Sequence, residues 1–170
     1  MDLCLIVFYS EGKMIGKKEL LILSNLRHNG REKLTNMSKT TNIPVSTIFD
    51  NIRRYEDNKL IRRHSCLLNF SKLGYEIDVY ILLKVDKDER ERLKEFLIEK
   101  ECLNSIFKIS SSYDFLIEGL FTDMQDLQDF LDELEENFSL IRNDILYIIN
   151  DLKREEFLNG KERRENEQCP

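Results

Sequence analysis

An α+β fold of two domains is what the sequence predicts: an N-terminal winged helix-turn-helix followed by a C-terminal ferredoxin-like βαββαβ unit. Short amphipathic helical segments follow one another to about residue 58, separated by Asn29-Gly30 and by Asn42-Ile43-Pro44. After Gly74 the pattern changes to β-branched runs alternating with helical ones, in the order strand, helix, strand, strand, helix, strand. The charge balance changes sign at the same place. Residues 1–70 hold 12 Lys/Arg against 7 Asp/Glu, whereas residues 71–150 hold 9 against 19, within a net charge of −6.

The elements follow in order. Residues 1–14 are an extension. Within it Leu3–Tyr9 (LCLIVFY) reads as a β-strand for a sheet edge, and Met14 reads equally as an alternative start. The winged helix-turn-helix covers residues 15–70. Its first helix begins near Lys17, with Leu20, Leu21, Leu23, Leu26 and the preceding Ile15 as an apolar stripe. A second runs from Arg31 or Glu32 to Thr40, with Leu34 and Met37 inward. Pro44 suits a helix's first turn, where its missing N–H costs nothing, and a third helix runs from Val45 to Asn58. The apolar and basic mixture Lys59–Phe70 (KLIRRHSCLLNF) fits a two-stranded wing. Ser71–Gly74 is the linker.

Residues 75–150 form the second domain. Strands are expected at Glu76–Val85, Leu103–Ser110, Phe115–Phe121 and Ile141–Ile149, and helices at Asp88–Glu101 and Asp123–Phe138. Leu93, Phe96 and Leu97 face inward on one helix, and Leu127, Phe130, Leu131 and Leu134 on the other. Both helices lie on one face of the sheet. The other face needs a cover, and a second copy of the same sheet supplies it, so a homodimer is expected. Residues 151–170 read as a helical extension of the last strand that frays into a polar tail.

The four cysteines, Cys4, Cys66, Cys102 and Cys169, are far apart and include no CxxC pair, which signals neither a zinc site nor a disulfide framework. His64 and Cys66 would share one face of a strand, but no second pair of ligands accompanies them. Leu3–Tyr9 is too short to span a bilayer and lacks a basic start. The expectation is a cytoplasmic chain without metal or cofactor. No nucleophile–base pairing or Gly-rich phosphate loop points to an enzyme.

The third helix is the informative element. At 100° per residue, Val45, Ile48, Ile52 and Tyr55 fall on one side and must face the other two helices. The opposite side carries Ser46, Thr47, Asp50, Arg53 and Arg54, with Asn51 on its flank. Hydroxyls, an amide and arginines are the groups that reach base edges and phosphates. Asp50 opposes phosphate and is expected to pair with Arg54 one turn on. Arg62 and Arg63 in the wing are candidate phosphate contacts, as are Arg31, Lys33 and Lys39. The candidate DNA-binding set is therefore Ser46, Thr47, Asn51, Arg53, Arg54, Arg62 and Arg63, and the expected partner is double-stranded DNA.

Two stretches resemble the Lrp/AsnC, or feast/famine, family of transcriptional regulators. KKELLILSNLRHNGREKLTNMSKTTNIPVSTIFDNIRRYEDNKLIRRHSCLLNFSKLGYEI is similar to their DNA-binding domain, wing and linker. ISSSYDFLIEGLFTDMQDLQDFLDELE is similar to the centre of their effector-binding domain. The resemblance covers residues 15–150. It implies sheet-to-sheet dimers assembled further into tetramers or octamers. It also implies palindromic or AT-rich operators, and regulation by amino acids bound near the Ser111-Ser112-Tyr113-Asp114 turn. Two positions depart from the family's pattern: Ser111 stands where a glycine is usual, and Asn51 where an arginine is common.

Two other readings compete. One is a winged-helix scaffold for protein partners. The other is a siroheme decarboxylase, an activity found among proteins resembling this family. It needs a histidine and basic residues at the effector pocket, whereas His28 and His64 both lie in the N-terminal half.

Overall fold

The computed structural model describes residues 7–8 and 14–158 apart from 111. They divide into two compact units, one running up to Leu67 and joined by the segment from Lys153, the other spanning Leu68–Leu152. The remaining residues of the N-terminal extension, Ser111 and residues 159–170 lie outside the described residues.

In the first unit, β1 (Val7–Phe8) pairs antiparallel with β2 (Met14–Ile15). Helix α1 (Lys17–His28) opens where the Gly16 N–H donates to Glu19 Oε2 at 2.8 Å, satisfying one of the donors a helix start leaves over. Helix α2 (Leu34–Thr41) stops at Asn42, whose φ of 56° is left-handed, a conformation asparagine tolerates better than most residues. Helix α3 (Val45–Asp57) then starts directly after Pro44. Ile22, Met37, Ile43, Ile48 and Tyr55 form the sealed core, with Leu23, Leu26, Leu34, Ile52, Leu60 and Ile61 packed against it. Val45 departs from its expected inward place and is 39% exposed; Ile43, two residues earlier, fills that end of the core.

The expected two-stranded wing is absent: among the described residues, 59–70 contain no strand. The tightest hairpin turns favour Gly or Asn at the tip, and within Lys59–Phe70 neither occurs except Asn69, next to the end of the segment. The segment runs exposed from Arg62 to Asn69, with Leu67 and Leu68 in solvent.

In the second unit a 3₁₀ turn (Ser71–Leu73) ends on Gly74 at φ 93°, which a side chain would disfavour. Then come β3 (Ile77–Val85), α4 (Arg90–Ile98), β4 (Leu103–Lys108), β5 (Phe115–Phe121), α5 (Met124–Asn137) and β6 (Leu140–Tyr147). Helix α4 is shorter than expected because residues 87–89 form a separate 3₁₀ turn. Asp123 caps α5 by accepting from the N–H groups of Gln125 and Asp126. The sheet order is β4-β5-β3-β6 and every neighbouring pair is antiparallel. This is the ferredoxin-like arrangement.

Strand β3 shows the period of two: Val79, Ile81, Leu83 and Val85 are buried, and the residues between them are half-buried. Fourteen buried side chains, from Val79 to Phe138, form this unit's core. On the opposite face Leu82 registers with Leu116, which registers with Phe107, and Tyr80 registers with Leu146.

Among the described residues the expected helical extension after β6 is not formed. Residues 148–158 carry no helix or strand, and Glu155 and Leu158 adopt positive φ, which breaks a right-handed helix. Arg27 of α1 holds this segment instead. It donates to the carbonyl oxygens of Glu155 (2.9 Å) and Phe157 (3.1 Å) and pairs with the Glu155 carboxylate at 2.6 Å.

Candidate nucleic-acid interface

Helix α3 is fastened by Ile48 and Tyr55, both buried, and so presents its other side outward. Ser46, Thr47, Asp50, Arg53 and Arg54 are all exposed there, and Asn51 is half-buried on the flank. The expected pair of Asp50 with Arg54 does not form. Arg54 pairs instead with Glu19 of α1, whose carboxylate the Gly16 N–H already orients, and it donates to Asn51 Oδ1 at 2.7 Å. Its guanidinium lies 5.4 Å from the centre of the Tyr55 ring. Drawn toward α1, the side chain leaves Asp50. Asn51 in turn donates to the Thr47 carbonyl at 2.9 Å. Burial, and after it the Glu19 charge, pushes the Tyr55 phenol up to about 12, so it stays protonated.

The candidate set therefore divides. Asn51 and Arg54 are engaged within the unit, while Ser46 and Thr47 stand exposed in the first turn of the helix. Arg53, Arg62 and Arg63 are exposed and have no hydrogen-bond or ion-pair partner among the described residues. His64 Nε2 lies 2.8 Å from Glu56 Oε1. Among the described residues no group of His, Cys, Asp and Glu is arranged to hold a metal ion.

The turn before β5 has a different character. Ser112 is exposed and Tyr113 half-buried. Asp114 is 6% exposed and turned into the fold. Its carboxylate accepts from the Val85 N–H and from Lys84, both at 3.2 Å, and pairs with Arg90 at 2.9 Å. Burial by itself raises the Asp114 pKa, but these three partners outweigh it and hold the carboxyl below its ordinary value. Its backbone N–H donates to Leu83 O at 2.8 Å, locking the turn to β3. The Tyr113 hydroxyl donates to Asp144 of β6, and Arg142 stacks 5.0 Å from the Tyr113 ring while pairing with Asp144 at 3.0 Å.

Sequence reasoning missed Arg142, Asp144, Lys84 and Arg90 as neighbours of this turn, because they come from other strands and a helix. It also passed over Phe49, which is 53% exposed on α3. The helical wheel carried a signal for it, since Phe49 falls outside the stripe of Ile48, Ile52 and Tyr55.

No family model matches the chain. The HTH-type transcriptional regulator FL11 of Pyrococcus abyssi is 26% identical over 111 residues, covering 65% of this chain and 74% of that protein. An uncharacterized HTH-type transcriptional regulator of the same organism is 24% identical over 148 residues, covering 87% and 94%. Among solved structures, the transcriptional regulator NMB0573 from Neisseria meningitidis, in complex with L-Met, superposes with a TM-score of 0.76 at 20% identity, over 82% of this chain and 92% of that one. AsnC of E. coli superposes with 0.74 at 14% identity, over 84% and 97%. No helix among the described residues is long and apolar enough to cross a membrane. The chain thus has the fold of the Lrp/AsnC regulators, and in sequence it resembles the HTH-type transcriptional regulators of Pyrococcus.

Proposed function

We propose that the chain is a DNA-binding transcriptional regulator that places α3 in the major groove. One observation carries this reading: an outward helix face of Ser46, Thr47 and Arg53, sealed behind by Ile48 and Tyr55, with Arg53, Arg62 and Arg63 unpaired among the described residues. Free guanidinium groups beside small hydroxyls suit phosphate and base-edge contacts. The names of the relatives point the same way and favour neither the scaffold nor the decarboxylase.

A homodimer through the open sheet face is part of the proposal. Phe107 and Leu146 on that face are each about half exposed, next to Leu82 and Leu116, and a second sheet would remove them from water. Such a dimer offers two copies of α3 to one palindromic site. The L-Met bound to the Neisseria regulator supports a small-molecule effector here as well. We place it at Ser112 and Tyr113 beside Arg142 and Asp144, a cationic and an acidic group suited to the two charges of an amino acid. Asp114, buried beneath the turn, would shape that site from below, whereas the more exposed Arg142–Asp144 pair would open to receive the ligand.

Mobility-shift titration against duplexes selected from a random pool tests the proposal. Arg53→Ala is expected to weaken binding by about ten- to a hundredfold if it reads a base, as a bidentate contact does. Replacing Arg62 and Arg63 is expected to lower affinity evenly across sequences and to flatten the salt dependence by about one unit per lost phosphate contact. Absence of binding at low salt, or full affinity after all three changes, overturns the reading.

A further inference from the structure

Helix α3 keeps an aromatic side chain largely in water. Ile48 is sealed in the core, but the next residue, Phe49, is 53% exposed. Its ring lines a shallow recess of about 350 Å³ together with Leu34 of α2 and Ile52, Arg53 and Glu56 of α3. Leu34, Phe49 and Ile52 make the recess apolar. Arg53 stands beside them with no partner among the described residues, and the carboxylate of Glu56 is turned to His64. An apolar hollow next to an unpaired cation thus lies on the element proposed to enter DNA.

The chemistry of that combination narrows the occupant. Phosphates answer Arg53, but nothing charged answers Phe49. Of the groups that base pairs display in the major groove, the 5-methyl of thymine is the apolar one, and phenylalanine is among the side chains that contact it. We infer that Phe49, backed by Leu34 and Ile52, is a specificity-determining residue that takes the 5-methyl group of a thymine while Arg53 engages the adjoining phosphate or base edge. The inference rests on the DNA-binding reading above and names what α3 distinguishes.

Deoxyuridine supplies the test, because it pairs as thymidine does and lacks only the methyl group. The full chain is first used to select duplexes from a random pool. One selected duplex is then remade with each thymine in turn replaced by deoxyuridine. The unaltered chain is expected to lose about fourfold in affinity at one or two thymines in each half-site, the worth of one buried methyl group. Phe49→Ala is expected to bind the unmodified duplex more weakly by a similar factor, with no further loss on uracil replacement at those positions. Its salt dependence should be unchanged, because no charge is removed. Phe49→Leu is expected to keep part of the methyl sensitivity. The inference is overturned if the unaltered chain ignores every replacement, or if Phe49→Ala retains the same pattern of losses. It is equally overturned if sedimentation shows that Phe49→Ala changes the assembly state, which would assign the recess to a second copy. Failure of the unaltered chain to bind any duplex sinks the DNA-binding reading itself, a result distinct from bound but methyl-insensitive DNA.

Discussion

The helical unit and the sheet unit differ in how they are held together. Among the described residues, five buried side chains, none larger than Tyr55, seal the core of the first, whereas fourteen seal the second. The first joins neighbours in the chain, Pro44 leading into α3 and Asn42 closing α2. The second is a sheet whose β3 pairs with β5 and β6, tens of residues away. Charge divides the same way, basic residues toward the first and acidic toward the second. The thinly sealed unit carries the exposed arginines, and the heavily sealed one carries the open apolar face. A smaller core goes with a lower cost of local opening, so the element proposed to face DNA is expected to belong to the part of the molecule that yields first.

Several substitutions break or sharpen this contrast. The largest effect is expected from Ile48→Ala, which empties the centre of a five-residue core and costs about 2–5 kcal/mol. It should remove DNA binding while calorimetry still records the melting of the sheet unit; a single shared transition that moves as a whole would erase the distinction. Gly119→Ala acts on the other side. A Cβ there would stand 2.6 Å from the ring of the buried Phe121, and overpacking of this kind costs about 1–3 kcal/mol. Urea unfolding should show the loss in the sheet unit alone, with DNA affinity in the native range unaltered.

Asp114→Asn is expected to cost the sheet unit about 1–2 kcal/mol at neutral pH, because charge-assisted hydrogen bonds are lost. It also changes the pH profile. The folded state holds the Asp114 carboxyl below its ordinary value, so over the acid range the unfolded chain binds the proton more readily. Stability from this group is therefore complete above the usual carboxylate range and disappears as pH falls through the lowered value. Unfolding measured from neutral pH downward should show a shallower acid limb in the variant; identical limbs would separate Asp114 from sheet stability. The smallest effect is expected at Arg27→Ala. The Arg27–Glu155 pair is about half exposed, and exposed pairs contribute at most about 1 kcal/mol. Its signature is faster proteolysis after β6 with the melting of both units nearly unchanged.

The same contrast shows what was legible in the residues. Helices α1 and α3 and strand β5 stand close to where periodicity and punctuation put them, and Met37, Ile48 and Tyr55 face inward as the helical wheel requires. The wing and the C-terminal helix were misread for one reason. A composition that suits an element does not supply its turn or its repeating backbone hydrogen bonds, and among the described residues neither Lys59–Phe70 nor the segment after β6 forms a strand or helix. At the site, the outward set of Ser46, Thr47 and Arg53 was readable from spacing, whereas the engagement of Arg54 by Glu19 was not.

Local pattern was enough to determine the order of elements, the division into a helical and a sheet unit, and the face of α3 that turns outward. These follow from backbone period and side-chain polarity, properties of neighbours in the chain. The tertiary structure alone decided that Arg54 leaves Asp50 for Glu19, that Asp114 is enclosed by Val85, Lys84 and Arg90, and that Arg27 holds the segment after β6. A charged side chain goes to whichever opposite charge, or backbone carbonyl for a cation and N–H for an anion, the fold brings within about 3 Å, and that distance is set by packing between elements far apart in sequence.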